Sequence, residues 1–304
     1  MIANPERFKG IFVAFYACYD EVGRFDPDRA RRLARWYVDQ GVDGLYLTGS
    51  SGEGMMLSTE ERMQTVETVC KAVGAQTKII VHVGATTTRE ATELARHAAA
   101  VGADAISSVP NIYYALPEAC IEAYWDALIE AAQIPFLIYN IPATTGYHLS
   151  MSLFERMIQK PWVAGIKTTS PNCALIQQMR RIGGEDVVIF NGEDAQLLAG
   201  LVMGASGGIG GTYGAMPELY VRLYRAYCRG DLARARMWQD RAALAMSSGR
   251  VSGSPGIASM KAILNARGKD CGGVRAPFRT VSPDAPEIRA AADRIESWLR
   301  EEED

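Results

Sequence analysis

Histidine and cysteine, which build most transition-metal sites, are scarce and scattered in this sequence. Its 304 residues include three histidines (His82, His97 and His148) and six cysteines, no two of which form a C-x-x-C pair. The H-E-x-x-H motif is missing as well. Zinc sites and redox-active dithiols depend on such short spacings, so we expect neither a bound metal nor a redox dithiol.

The sequence also lacks an excess of charge of one sign. Its 32 lysines and arginines against 35 acidic residues leave a net charge of −3. The nearest approach to a basic cluster is Arg29, Arg31, Arg32 and Arg35, whose spacing is typical of one solvated helix face. A nucleic-acid partner is therefore not expected.

Long apolar runs are missing too. No stretch approaches the roughly 18 uninterrupted apolar residues of a membrane helix, and the start MIANPERFKG has no apolar run behind a basic segment. The content of 48% hydrophobic and 22% charged residues is that of a globular chain. We expect a soluble cytoplasmic protein without a membrane partner.

The sequence does contain a regular alternation of short apolar runs and longer amphipathic stretches. The predicted strands are Ile11–Tyr16, Gly44–Leu47, Lys78–Val83, Ala105–Val109, Phe136–Tyr139, Val163–Lys167, Val187–Phe190 and Gly207–Ile209. The predicted helices start near Asp28, Thr59, Arg89, Pro117, Ser150, Asn172, Asp194 and Met216. Among these positions, Asp28, Thr59, Ser150 and Asn172 are predicted as N-caps.

Strands that are apolar throughout and alternate with helices indicate a parallel sheet covered by helices. Eight such units predict an α/β fold of the TIM (β/α)8 barrel type over residues 1–230. Three further helical stretches, Leu232–Met246, Ser254–Ala266 and Asp284–Glu301, predict a C-terminal helical extension over residues 231–304, packed on the barrel as one structural unit. A doubly wound sheet is the alternative, although no G-x-G-x-x-G follows the first strand.

In a barrel of this kind the residues that follow the strands line the active site. Lys167, one of only seven lysines, ends a strand that should be buried on both faces. Burial disfavours the ammonium form and favours an amine that can condense with a carbonyl group. Tyr139 ends the preceding strand and could exchange protons with a Schiff base, while Thr169 could position or relay a proton. Alone, each residue would have an ordinary structural explanation.

Two glycine-rich segments are candidate ligand contacts. The loop from Gly49 to Gly54 has two adjacent hydroxyl groups, and its exposed backbone amides could bind a carboxylate. A tight turn is the alternative, in which Glu53 is a buried acid that fixes the loop. The segment from Gly204 to Gly214 could approach a ligand closely or could simply pack densely.

These residues also carry a resemblance to a known family. The motifs are G-S-S-G-E (49–53), S-V-P-N-I-Y-Y (108–114), Y-N-I-P-A (139–143), G-I-K-T-T-S (165–170), N-G-E-D (191–194) and G-G-I-G-G-T-Y (207–213). Over essentially its whole length, the sequence resembles the N-acetylneuraminate lyase and dihydrodipicolinate synthase family of pyruvate-dependent class I aldolases.

The resemblance implies that Lys167 forms a Schiff base with pyruvate and that Tyr139 relays protons, without metal or nucleotide cofactor. It implies that Ser50 and Ser51 hold the pyruvate carboxylate, and that Tyr113 reaches the site of a neighbouring subunit in a homotetramer. The remaining substrate contacts that it implies are Gly52, Thr169, Gly192, Glu193, Asp194, Gly208 and Gly211.

Two departures from the family pattern bear on the substrate. Thr144 stands where dihydrodipicolinate synthases carry an arginine that grips an aldehyde's carboxylate, which disfavours that activity. N-acetylneuraminate lyases match better, but Ala195 replaces an expected glutamate and Gly211 an expected serine. We therefore expect a lyase acting on N-acetylneuraminate or similar oxo sugar acids. The alternatives are an aldolase or dehydratase for shorter 2-keto-3-deoxy sugar acids, and a catalytically silent barrel that senses an oxo acid.

Overall fold

The computed structural model describes residues 5–301, in which helices alternate with eight strands. The strands are β1 Gly10–Ala14, β2 Gly44–Leu47, β3 Lys78–His82, β4 Ala105–Ser108, β5 Phe136–Asn140, β6 Val163–Thr168, β7 Val188–Asn191 and β8 Gly207–Gly210. The barrel helices are α1 Pro27–Asp39, α2 Thr59–Val73, α3 Thr88–Ala100, α4 Glu118–Ala132, α5 Pro142–Thr145, α6 Met151–Ile158, α7 Ala174–Gly183, α8 Leu197–Val202 and α9 Pro217–Cys228. Three more helices follow: α10 Leu232–Ser248, α11 Gly256–Ala266 and α12 Pro286–Arg300.

All eight strands are parallel and close into a barrel, because β1 pairs with β2 on one side and with β8 on the other. This confirms the predicted TIM barrel and excludes the doubly wound sheet. The strand boundaries differ from the prediction by at most two residues. The short helix α5 was not predicted, since four residues give no readable periodicity.

Three of the four predicted N-caps are wrong. The side chain that caps α1 belongs to Asp26, and α2 is capped by Ser58 in a capping box with Glu61. Ser150 caps α6 as predicted. Asn172 accepts a hydrogen bond from the Ala174 amide, but the residue that precedes α7 directly is Cys173. Each error is only one or two residues, because neighbouring polar residues offer equivalent caps to a sequence pattern.

The apolar residues form two layers. Side chains between the strands and the helices make up the larger core. A second cluster fills the barrel itself, and its aromatic members are Phe8, Phe12, Tyr46, Tyr139 and Phe190. The barrel is therefore packed along its axis, as in other barrels of this type, and ligands are expected at the C-terminal ends of its strands.

The C-terminal helices contact residues of the barrel that follow β2 and β7. In α10, Gln239 donates to the Asp194 carbonyl oxygen and accepts from the Leu198 amide, and in α11, Lys261 pairs with Glu53. These contacts support the proposal that residues 1–230 and 231–304 form one structural unit. Residues 1–4 and 302–304 of that unit lie outside the described part of the chain. No helix within residues 5–301 has the length and apolarity that crossing a membrane requires.

Candidate active site

The candidate site is centred on Lys167, which β6 places beside Tyr139 of β5 and Phe190 of β7 in the strand register. The lysine is buried, with 5% of its surface exposed. Its Nζ lies 4.0 Å from the ring centroid of Tyr139 and 4.5 Å from that of Tyr46. Within residues 5–301, no side chain forms a hydrogen bond or an ion pair with this Nζ. The structure thus brings together Lys167 and Tyr139, as the sequence predicted, and adds Tyr46.

His82 and Arg62 complete the surroundings of this aromatic pair. The His82 ring meets the Tyr139 ring edge to face, with centroids 6.0 Å apart. Burial lowers the pKa of His82 well below its usual value, and the cations Arg62 and Lys167 lower it further, so the imidazole is neutral. Arg62 donates to the carbonyl oxygens of His82 and Gly84 at 2.7 and 2.9 Å.

Arg62, His82 and Tyr46 were not predicted from the sequence as site residues. Burial lowers the pKa of Arg62 to about 10, an unusual environment for an arginine. In the sequence it is one cation in an amphipathic helix, where a solvated position is the usual expectation. Tyr46 lies in a fully buried strand and His82 in a strand that is buried except for Lys78. The signal that could have found them is their position near the ends of these strands, beside the rim residues.

The loop after β2 presents backbone amides to the barrel mouth. Thr48 and Glu53 bracket it with φ angles of 54° and 50°, in the left-handed region that non-glycine residues rarely adopt. Between them, the amides of Ser50, Ser51 and Gly52 donate to no protein atom within residues 5–301. Three free N–H groups in a tight turn are suited to binding an anion. The Ser50 residue is exposed and Ser51 is half-buried.

Glu53 fixes this loop, in agreement with the structural alternative considered from the sequence. Its carboxylate is buried and accepts from Lys261 Nζ at 3.1 Å and from the Arg275 amide at 2.8 Å. Both partners belong to the C-terminal part of the chain. The strained loop conformation is therefore held by an ion pair with α11 and a backbone contact after it.

Asp194, which follows β7, is the principal buried acid of the rim. Its Oδ2 accepts from both the amide and the hydroxyl of Thr212, each at 2.7 Å, while its Oδ1 is buried without a partner. Burial raises the pKa of Asp194 to about 6, although the Thr212 bonds and the nearby Lys167 charge oppose the shift. A carboxylate with one free, desolvated oxygen is well suited to accept a hydrogen bond from a ligand hydroxyl.

A cavity of about 280 Å³ lies between the barrel rim and the C-terminal helices. Ser51, Asp194, Gly211 and Thr212 line it on the barrel side. The helical side consists of Met246, Arg250, Gly256, Ile257, Ser259 and Met260. The loop from Gly49 to Gly54, which is predicted to bind the substrate carboxylate, is called the carboxylate loop below. The cavity extends from this loop to the predicted sugar contacts and has room for an extended polar chain.

The structure gives a physical reason for one departure from the family pattern. A Cβ on Gly211 would lie 2.6 Å from Ser51 Oγ, so Ser51 occupies the space that a serine at 211 would need. Ala195 is exposed, whereas Glu193 is half-buried and its carboxylate has no partner within residues 5–301. Glu193 is thus the acid available to a ligand beside Asp194.

Three predicted glycine contacts remain. Gly192 and Gly52 lie beside other predicted site residues, whereas Gly208 does not line the cavity. Gly192 lies against Thr169, because a Cβ at Gly192 would meet Thr169 Oγ1 at 2.1 Å, and this hydroxyl is buried without a partner. Gly52 is buried in the loop after β2. Gly208 does not join the cavity, since Tyr213 and Leu197 fill the space beside it.

Tyr113 also lies apart from the site within this chain. Its side chain is 91% exposed, its φ is 82°, and its ring stacks edge to face on Tyr114 at 5.0 Å. A strained backbone that holds two aromatic rings in solvent is unusual for a structural residue. No group of three or more histidine, cysteine, aspartate or glutamate side chains within the described residues is arranged to hold a metal ion.

The chain is similar to several characterised proteins. It is 40% identical to the N-acetylneuraminate lyase of Mediterraneibacter gnavus over 295 residues, which cover 96% of this chain and 94% of that protein. The N-acetylneuraminate lyase of Salmonella typhimurium is 36% identical over 234 residues, which are 76% of this chain and 78% of the lyase.

Solved structures agree with these similarities. A catalytic lysine mutant of the Ruminococcus gnavus sialic acid aldolase superposes with a TM-score of 0.95 at 39% identity and covers 99% of both chains. A Clostridium difficile protein solved with mannosamine has a TM-score of 0.88 at 28% identity over 95% of this chain and 98% of that one. Residues 7–293 match the Dihydrodipicolinate synthetase family, and the chain belongs to that family.

Proposed function

We propose that the protein is a class I aldolase of the N-acetylneuraminate lyase type, which cleaves N-acetylneuraminate to pyruvate and N-acetylmannosamine. The observation that carries the proposal is the buried Lys167 amine, which faces the Tyr139 ring at 4.0 Å and has no carboxylate partner within residues 5–301. The 40% identity to a lyase of that name, over nearly the full length of both chains, supports the substrate.

The reaction begins when the Lys167 amine attacks the C2 carbonyl of the open-chain oxo acid and water leaves. The resulting iminium withdraws electrons from C3 far better than a ketone does. Tyr139 donates its phenolic proton to the hydroxyl that leaves as water, and its phenolate then accepts the proton of the 4-hydroxyl group. The C3–C4 bond breaks, and its electron pair forms the C2–C3 double bond of an enamine while the iminium electrons return to nitrogen. The aldehyde leaves. Protonation of C3 and hydrolysis of the imine then release pyruvate and restore the lysine.

The remaining groups bind and orient the substrate. The free amides and hydroxyls of Ser50 and Ser51 suit the C1 carboxylate, and Thr169 can position a proton beside Lys167. Asp194 and Glu193 offer unpaired carboxylate oxygens to the hydroxyl groups of the sugar chain. The cavity beyond them takes the far end of the nine-carbon chain. The covalent lysine makes a metal or nucleotide cofactor unnecessary.

The exposed Tyr113 supports a further part of the proposal, in which this ring enters the site of a neighbouring subunit in a homotetramer. Its 91% exposure and left-handed backbone fit a residue whose partner lies on another chain. The substrates are small metabolites, and we place the enzyme in the cytoplasm.

The first test is release of pyruvate from N-acetylneuraminate, coupled to lactate dehydrogenase, with Lys167→Ala as the blank. We expect release by the wild type alone. Borohydride should also fix one pyruvyl group on the wild type and none on Lys167→Ala. Pyruvyl fixation without cleavage would overturn the substrate and leave the Schiff base intact. That result would favour a shorter 2-keto-3-deoxy sugar acid, whose chain needs fewer of the hydrogen bonds that a glutamate at position 195 and a serine at position 211 would make.

A further inference from the structure

Lys167 Nζ lies between two aromatic rings, and the described structure offers it no anion at hydrogen-bond distance. The Tyr139 centroid is at 4.0 Å and the Tyr46 centroid at 4.5 Å, both within the distance of about 6 Å over which a ring face attracts a cation. All three side chains are buried. A positive charge in such a place needs compensation, and the two ring faces supply it at close range, while the Asp194 carboxylate acts from beyond ion-pair distance.

Tyr46 is held in this position from several directions. Its hydroxyl donates to the buried Ser107 Oγ at 3.0 Å, and its ring meets the Tyr139 ring edge to face at 5.9 Å. Gly49 of the carboxylate loop lies directly on it, since a Cβ there would be 2.6 Å from Tyr46 Cε1. The neutral His82 ring is the next neighbour, at 6.3 Å, and adds no competing charge.

A positive charge develops at this point during the proposed chemistry. Condensation with the oxo acid turns the amine nitrogen into an iminium nitrogen, which remains cationic until the C3–C4 bond breaks and the enamine forms. Stabilising the iminium therefore increases its population at the step where it must accept electrons. Tyr139 has a hydroxyl assigned to proton transfer, whereas the Tyr46 hydroxyl is bound to Ser107 and only its face is offered to the nitrogen.

We propose that Tyr46 is a further catalytic residue, whose ring face stabilises the cationic imine on Lys167. This role rests on the proposed Schiff-base function. It assigns to Tyr46 an electrostatic contribution that depends on the electron density of the ring and not on its hydroxyl group.

The test replaces Tyr46 with phenylalanine and then with mono-, di- and trifluorinated phenylalanines, which keep the shape of the ring and remove the negative potential of its face. The measured reaction is exchange of the pyruvate methyl protons for deuterium, followed by NMR, because it requires the iminium and enamine but no sugar. The same fluorinated residues at Phe136, a buried core position beside Trp125, serve as the control.

We expect Tyr46→Phe to exchange within about threefold of the wild type, since the Ser107 bond is lost but the face is kept. Successive fluorines should slow exchange stepwise to about thirtyfold, the factor that ~2 kcal/mol of a desolvated cation–π contact represents at 1.36 kcal/mol per tenfold change. Tyr46→Leu should slow exchange by at least the same factor. The same fluorinated residues at Phe136 should leave the exchange rate unchanged.

A trifluorinated variant as active as Tyr46→Phe would overturn the role of the ring face and leave the lyase assignment standing. Failure of the wild type itself to exchange pyruvate protons would instead overturn the Schiff base, and the proposed role of Tyr46 with it.

Discussion

The buried ion pair between Glu53 and Lys261 should control both the stability of the fold and the shape of the carboxylate loop. The two side chains are 0% and 1% exposed, and their charged atoms are 3.1 Å apart. At an effective dielectric constant of about 20, two unit charges at that distance attract by roughly 5 kcal/mol. Removing one partner of such a pair typically costs about 3 to 5 kcal/mol, because the other charge is left buried.

We therefore expect Lys261→Met to lower the free energy of unfolding by about 3 to 5 kcal/mol. The double variant Glu53→Gln/Lys261→Met should lose much less than the single one, since no uncompensated charge remains. Lys71→Met, at an exposed lysine, is the matched control and should change stability by less than ~0.5 kcal/mol.

Urea unfolding of the four proteins, followed by circular dichroism, measures these differences. The same samples report on the loop, because pyruvate exchange by Lys261→Met should need a higher pyruvate concentration for half-saturation. A double variant as unstable as Lys261→Met, or a Lys261→Met protein as stable as the Lys71→Met control, would contradict this role of the ion pair.

Three further predictions concern the rim and the strand that carries the lysine. Burial raises the pKa of Asp194 from 3.8 to about 6, so the folded state binds the extra proton between these values and the contribution of Asp194 to wild-type stability falls by about 3 kcal/mol as pH rises through them. Asp194→Asn should lack this fall while raising KM for N-acetylneuraminate, and equal pH dependence in urea unfolding would contradict the assignment. Gly165→Ala should cost more than ~3 kcal/mol and slow pyruvate exchange, because its Cβ would lie 1.9 Å from the Val188 carbonyl oxygen; wild-type stability in the same assay would argue against this. Gly211→Ser should displace Ser51 Oγ and raise KM with less effect on kcat, and steady-state kinetics with an unchanged KM would show that the space is not limiting.

The periodicity of the sequence was enough to predict the eight strands because parallel barrel strands are apolar along their whole length and are separated by amphipathic helices. It failed at details that depend on one or two hydrogen bonds. Asp26 and Ser58 cap helices where Asp28 and Thr59 were expected, and the four residues of α5 carry no period. Barrel closure itself needed the pairing of β1 with β8, which connects the two ends of the barrel sequence.

The candidate site divides in the same way. Lys167 and Tyr139 could be predicted, since each is the penultimate residue of its strand and strand ends meet at one rim. Tyr46, His82 and Arg62 could not, because their roles depend on what faces them across the barrel. Arg62 has the sequence pattern of a solvated helix residue, but its guanidinium donates to the carbonyl oxygens of His82 in β3 and of Gly84, two residues beyond it.

Residues close together in the chain are enough to predict the order of strands and helices, the lysine near the end of β6 and the family to which the chain belongs. Tertiary structure decided which groups meet: Glu53 with Lys261, Gly211 with Ser51, and Lys167 with Tyr46. These contacts join residues that are far apart in sequence, and their energies depend on burial and on distances of a few ångströms. No local pattern encodes either quantity.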